Sequence, residues 1–135
     1  MELLILKGRP IVSGDAKGIA LVSSKPLSFL GGVNAKTGVI VEREHDLYGK
    51  CIKDAILCFP HGHGSTVGSF VLYALAKNGL APKAIVNSTA DPVVVVGAVI
   101  ANIPMVDGIN ISKIKTGDLV EVNGEDGIVR VYRGD

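Results

Sequence analysis

The stretch "AILCFPHGHGSTVGSFVLYALAKNG", residues 55–79, changes its hydrophobic period halfway along. Up to Phe59 it is an uninterrupted apolar run bounded by Asp54 and Pro60, the pattern of a short buried strand. Beyond Gly64 the apolar residues Val67, Phe70, Val71, Ala74 and Leu75 recur at helical spacing. Lys77-Asn78-Gly79 then supplies a basic last turn and a glycine stop. The stretch therefore predicts a strand over residues 55–59, a glycine-rich loop, and a helix over residues 65–78, which is the repeating unit of an α/β fold.

Working outward, residues 3–7, 19–23, 38–42 and 84–87 are short, apolar or β-branched, and bounded by Gly, Pro, Ser or Asp, so each is predicted to be a strand. A second helix is predicted over Pro92–Ala101. Asp91 offers a capping carboxylate, Pro92 suits the first helical position, and Asn102 and Pro104 end the run. The β-branched block Val93-Val94-Val95-Val96 also fits a strand, because such residues carry only a modest helical penalty. The tail "TGDLVEVNGEDGIVRVY" alternates on both sides of Asn123-Gly124-Glu125-Asp126-Gly127 and predicts a hairpin with one wet face. Strands at both ends and strand-helix units between them predict an α/β sandwich in which the terminal strands meet.

The chain has 135 residues, 47% of them hydrophobic, and no repeat, charge block or low-complexity linker divides it. One domain over residues 1–135 is the expectation, with a core large enough to need no staples. Fourteen basic and thirteen acidic residues leave a formal charge of +1, so no electrostatic footprint for nucleic acid or an anionic membrane is seen. The apolar start is too short for a signal-peptide core, and the run over residues 92–101 is about half of a bilayer span. A cytoplasmic protein is expected. Cys51 and Cys58 match neither the close pairs of zinc sites nor the three ligands of a hydratase cluster, and both are expected to be free thiols.

The loop itself admits four uses. His61 and His63 offer two imidazoles for a metal, but no acidic or cysteine partner stands at an informative spacing. Gly62, Gly64 and Gly68, with Ser65, Thr66 and Ser69, place small residues and backbone N–H groups at a helix start, which is a physical anion site. The lysine and spacing of a P-loop are absent. A plain N-cap by Ser65 needs only one hydroxyl, whereas three hydroxyls and two histidines crowd here. Ser65 as a chemical group, an oxygen whose proton affinity is lowered by nearby amides, is the fourth use. The loop is not a hydrolase elbow, because Gly64 adjoins Ser65 directly.

Taken together, "HGHGSTVGS", then "LAPKAIVNSTADPVVVVGAVIANIPMVD", and the opening "LKGRPIVSGDAKGIALVS" with its G-x5-G-x-A-x-G pattern resemble the small, swivelling-domain subunit of the aconitase X family. The resemblance covers nearly the whole chain. It implies a swivelling β/β/α domain, a sheet with a barrel-like or sandwich portion and helices on one side. It also implies a heterodimer with a large catalytic subunit that binds a 4Fe–4S cluster and most of the substrate. The implied reaction is dehydration of 5-phosphomevalonate to trans-anhydromevalonate 5-phosphate in isoprenoid synthesis, with hydroxyproline dehydration in bacterial relatives. The serine of the Gly-Ser pair, Ser65 here, is the implied proton acceptor. Gly62, His63, Gly64 and Thr66 are then the candidate substrate-binding residues. The family pattern often has an arginine where His63 stands, and arginine holds a permanent, forked charge that histidine lacks.

Other polar residues have weaker claims. Asp15 and Lys17 read first as a turn, and Glu42, Glu44, His45 and Asp46 as a solvated loop. Asn87 and Ser88 read as a polar loop that could line the same cleft as Ser65. A different class of function, a phosphohistidine carrier using His61 or His63, rests on the swivelling-domain likeness and on "GAVIANIPMVD"; the threonine-histidine context of such carriers is absent.

Overall fold

The computed structural model describes residues 2–133. Their order is β1 (Glu2–Lys7), β2 (Arg9–Val12), β3 (Asp15–Val22), β4 (Ile56–Phe59), α1 (Gly68–Lys77), β5 (Ala84–Asn87), α2 (Pro92–Ala101), β6 (Met105–Asp107), a 3-10 turn at Ile111–Lys113, β7 (Leu119–Asn123) and β8 (Ile128–Arg133). The strands form an eight-stranded sheet in the order β1-β8-β7-β3-β4-β5-β6-β2. It is α/β as expected, but open, with β1 and β2 as its edges.

Two halves meet along β3. Its first five residues, Asp15 to Ile19, pair antiparallel with β7, and its last three pair parallel with β4. The antiparallel half, β1-β8-β7, folds over one face of the parallel half. Val120, Val122, Val129 and Val131 meet Ile56, Cys58, Ala84 and Val86 there in a closed apolar layer. The other face of the parallel strands, through Leu57, Phe59, Ile85 and Met105, is covered by Leu72 and Leu75 of α1 and Val94 and Ala98 of α2. Strands covered on both faces explain why β4 and β5 read as unbroken apolar runs.

The second helix has the predicted bounds. Asp91 caps it, accepting a hydrogen bond from the Val94 N–H at 3.1 Å, and Asn102 closes it in the left-handed conformation at φ 58°. The strand alternative fails because the cap and the stop act at the two ends of the same valine run. The first helix begins at Gly68, three residues later than predicted. The hairpin turn is held by the Asn123 side chain, which accepts the N–H groups of Glu125 and Asp126.

The strand predicted over residues 38–42 does not form. Because β3 and β4 pair directly, no slot is left between them. Residues 23–55 instead form a long connection that closes on itself, with Ile40 N–H donating to Lys50 O and Val41 N–H to Gly32 O. Leu27, Phe29, Ile40, Leu47 and Ile52 from this connection extend the helix-side core. The short strands β2 and β6 went unpredicted, and their antiparallel pairing is broken by a register shift between Pro10 and Val12.

Two contacts hold the helix layer in place. Gly97 of α2 lies so close to α1 that an added methyl would stand 2.6 Å from Leu72 Cδ1 and 3.2 Å from Ser69 Cα. Ser69 Oγ donates to Val93 O across the same contact at 2.6 Å. At the start of α2, the fully buried Asp107 carboxylate accepts from Arg9 and, at 2.8 Å, from the Ala90 N–H. Burial works to raise the Asp107 pKa, but the hydrogen bonds from Arg9 and Ala90, with the charge of Arg9, leave it lowered.

Gly97→Ala should cost about 1–3 kcal/mol, the usual penalty for overpacking, read as a lower denaturant midpoint with an unchanged slope. For Asp107 the folded pKa lies below the unfolded value, so its contribution is present above the unfolded carboxylate range, about 3.9, and is lost as pH falls through the folded pKa. Asp107→Asn should therefore lower stability at pH 7 and flatten the acid limb of the stability profile; an unchanged acid limb would show that the Arg9 pair is not linked to folding.

Candidate active site

The loop over residues 60–67 leaves the carboxyl end of β4, the edge of a parallel sheet where α/β folds place ligands. Its backbone is fastened on both sides. Pro60 O accepts the N–H groups of Ser88 and Thr89, at 3.0 and 3.1 Å. Leu27 N–H donates to His61 O and His63 N–H to Leu27 O, both at 3.2 Å, so the loop extends the sheet as a short parallel bridge. The two central glycines have different reasons to be glycine. Gly62 is buried, and a Cβ there would run into Val94 and stand 2.6 Å from Asp91 Oδ1 at the cap of α2. Gly64 is exposed with φ +93°, and a Cβ there would stand 2.5 Å from Ser28 Oγ.

Ser65 is exposed. Its Oγ accepts the Val67 N–H at 3.1 Å, and its carbonyl accepts the Gly68 N–H at 2.9 Å. These bonds form a turn ahead of α1, which is why the helix starts late. The turn also consumes the first helical amides, since Ser69 N–H donates to Thr66 O and Phe70 N–H to Val67 O. Within the loop the amides of His61, Gly62, Gly64, Ser65 and Thr66 donate to no acceptor among the described residues, and the last three adjoin the hydroxyl in sequence. An amide donated to Oγ favours negative charge on that oxygen, the requirement for a serine that takes a proton.

Two depressions flank the loop. His63 lines one of about 300 Å³ together with Lys25, Pro26, Glu42, Glu44 and His45. Thr66 lines the other, an apolar groove of about 280 Å³ between α1 and α2. Lys25, which the sequence did not single out, brings a cation beside His63; its Nζ also donates to Glu44 O at 2.8 Å. One carboxylate oxygen of Glu42 is buried without a partner among the described residues.

The remaining sequence candidates separate. Asp15 and Lys17 lie in the antiparallel half, Asp15 beside Glu121 and Arg130, and Lys17 Nζ 5.4 Å from the Tyr132 ring. They do not join the loop. His45 is buried, with Nδ1 accepting the Leu47 N–H at 3.1 Å and Nε2 facing Pro26 O at 3.2 Å. Ser23 Oγ donates to Asp46 Oδ1 at 2.6 Å. Burial raises the Asp46 pKa, but the hydrogen bonds from Ser23 and Ser24 leave it lowered. Ser23, His45 and Asp46 thus pin the long connection to the end of β3, and the serine proton is directed to the aspartate, not to the histidine. Asn87 is buried, donating to Phe59 O at 2.9 Å, while Ser88 holds the base of the loop through Pro60 O.

No group of three His, Cys, Asp or Glu side chains able to hold a metal occurs among the described residues. Cys51 is exposed, and Cys58 is buried, its thiol pKa pushed well up by burial and by the charge of Asp118. This donor set does not fit an iron–sulfur cluster, which takes three or four thiolates.

Residues 5–131 match the family model of the aconitase X swivel domain. A Thermococcus onnurineus protein named phosphomevalonate dehydratase small subunit is 56% identical over 126 residues, 93% of this chain and 97% of that protein. A Methanosarcina acetivorans protein of the same name is 52% identical over 131 residues, 95% of this chain and 91% of that protein. The crystal structure of Thermococcus kodakaraensis aconitase X in its holo form superposes with a TM-score of 0.95 at 52% identity, covering 96% of this chain and 99% of that one. A fold and an overall identity that agree along almost the whole length leave one conclusion, that this chain belongs to the aconitase X swivel-domain family.

Proposed function

We propose that this chain is the small subunit of a cytoplasmic hydro-lyase that dehydrates 5-phosphomevalonate to trans-anhydromevalonate 5-phosphate, with Ser65 as the proton acceptor. The observation that carries the reading is the Ser65 hydroxyl itself. It is exposed at the carboxyl edge of the parallel strands, its oxygen accepts the Val67 N–H, and the neighbouring amides of Gly64, Ser65 and Thr66 are unengaged among the described residues. The relatives that share more than half of its sequence are named for this dehydration.

In the reaction a proton leaves the carbon next to the substrate carboxylate, the C–H electron pair becomes the second bond of the new double bond, and hydroxide departs from the adjacent carbon. Ser65, as an alkoxide, takes that proton on Oγ and becomes a neutral hydroxyl. The amides of Gly64, Ser65 and Thr66 offer donors to the carboxylate, and His63 and Lys25 offer side-chain donors at the neighbouring depression. The iron–sulfur cluster belongs, in this reading, to a larger partner chain, because the cysteines of this one are separated and one is buried. The name "small subunit" carried by the relatives supports such a partner.

With the complex reconstituted anaerobically, Ser65→Ala should lower turnover of 5-phosphomevalonate by roughly 10²–10⁴-fold, the range of a general base, while leaving subunit association intact. Full activity in that variant would remove the assignment. His63→Arg should retain or raise turnover at mildly alkaline pH, because a guanidinium brings a permanent, forked charge to this position. A loss of about tenfold or more would mean that the imidazole does something a guanidinium does not.

A further inference from the structure

The helix layer has a chemically unusual outer surface. No charged residue occurs from Ser65 to Ala76, and none from Pro92 to Val106. Phe70 is 66% exposed and Val99 57%, with Val67, Val96 and Ile100 also open to solvent. A helix on the surface of a finished molecule carries a polar outer face, whereas one that is apolar all round is a buried helix. By its residues α2 is a buried helix with one side uncovered. The groove between the first turns of α1 and α2, walled by Thr66, Val67, Phe70, Pro92, Val93 and Val96, lies along that open side.

We propose that this groove is the seat of the large subunit, which lays an uncharged apolar surface across Val67, Phe70 and Val96. The inference rests on the reading of Ser65 as one part of a site shared between two chains. Its position selects the occupant. Thr66 and Val67 follow Ser65 directly, so a chain that brings chemistry to the Ser65 oxygen also reaches this groove. A second copy of the same chain seated there would cover the serine loop and close the site. An interface core depleted of charge and rich in aromatic and aliphatic residues is the composition of permanent assemblies. Covering the groove would also shed water from beside Ser65, strengthening the amide bonds that favour its negative form.

The test is association of the full chain with its own large subunit, encoded in the same genome, by co-purification and titration of the separated subunits. Phe70→Glu and Val96→Glu should each weaken association by about tenfold or more. Ile5→Glu, placed on the outer face of β1 at 51% exposure, should leave it unchanged. Circular dichroism of each isolated variant must match the wild type for these outcomes to count, and Phe70→Ala, which adds no charge, serves where a glutamate variant misfolds. Unchanged affinity in both groove variants overturns the proposal. So does an isolated chain that dimerises through Phe70 while its complex with the large subunit ignores the substitution. Ser65→Ala separates the two readings: intact association with lost turnover supports both, and intact association with intact turnover removes the base while leaving the docking surface. A wild-type chain that fails to bind the large subunit overturns both.

Discussion

One strand has to serve two sheets, and the architecture follows from that constraint. β3 pairs antiparallel with β7 for five residues and then parallel with β4 for three. To change partners it must let the two halves of the sheet close over one of its faces. The side chains on that face are Ala16, Gly18 and Ala20, all small, while Lys17 and Ile19 point the other way. The closing face is therefore the one with least to compress, and the valines of β7 and β8 come down onto Ile56, Cys58, Ala84 and Val86. With that face filled, the helices are left only the opposite one. The carboxyl edge of the parallel strands then stays clear for the loop that carries Ser65.

The long connection after β3 does more than join two strands. Leu27 lies alongside the loop and exchanges hydrogen bonds with His61 and His63, and Ser28 sits beneath Gly64. The connection is in turn fixed to the end of β3 through Ser23, His45 and Asp46. In the proposed role of a base, Ser65 would have to be held in place, because a small displacement costs rate steeply. Here the rigidity comes from neighbours remote in sequence, since a loop with this many glycines has little of its own.

Those remote neighbours mark the boundary of what the sequence reveals. The second helix was legible to the residue because its signals are local: Asp91 and Pro92 at one end, Asn102 at the other. The terminal hairpin was legible for the same reason, through Asn123 and its own turn. The start of the first helix was misplaced because Ser65 looks like a cap, and it does bond the amide two residues on, but the turn it makes precedes the helix. Residues 38–42 have strand composition and no strand, because the pairing of β3 with β4 is decided elsewhere. The loop was singled out from its composition and its likeness to a family. Lys25, however, reaches the site through folding alone, and no local pattern announces it.

The contact of Gly62 with α2 has a consequence for how such a site drifts over evolutionary time. The cap of α2 and the floor of the serine loop are one contact, because Asp91 Oδ1 and Val94 are what a side chain at position 62 would strike. A substitution at Asp91 or Val94 thus acts on two things at once, the first turn of a helix and the height at which a distant serine is presented. Selection on catalysis would then be felt at helix positions that never meet the substrate, and a change there that suited the helix could still be lost for lowering the loop.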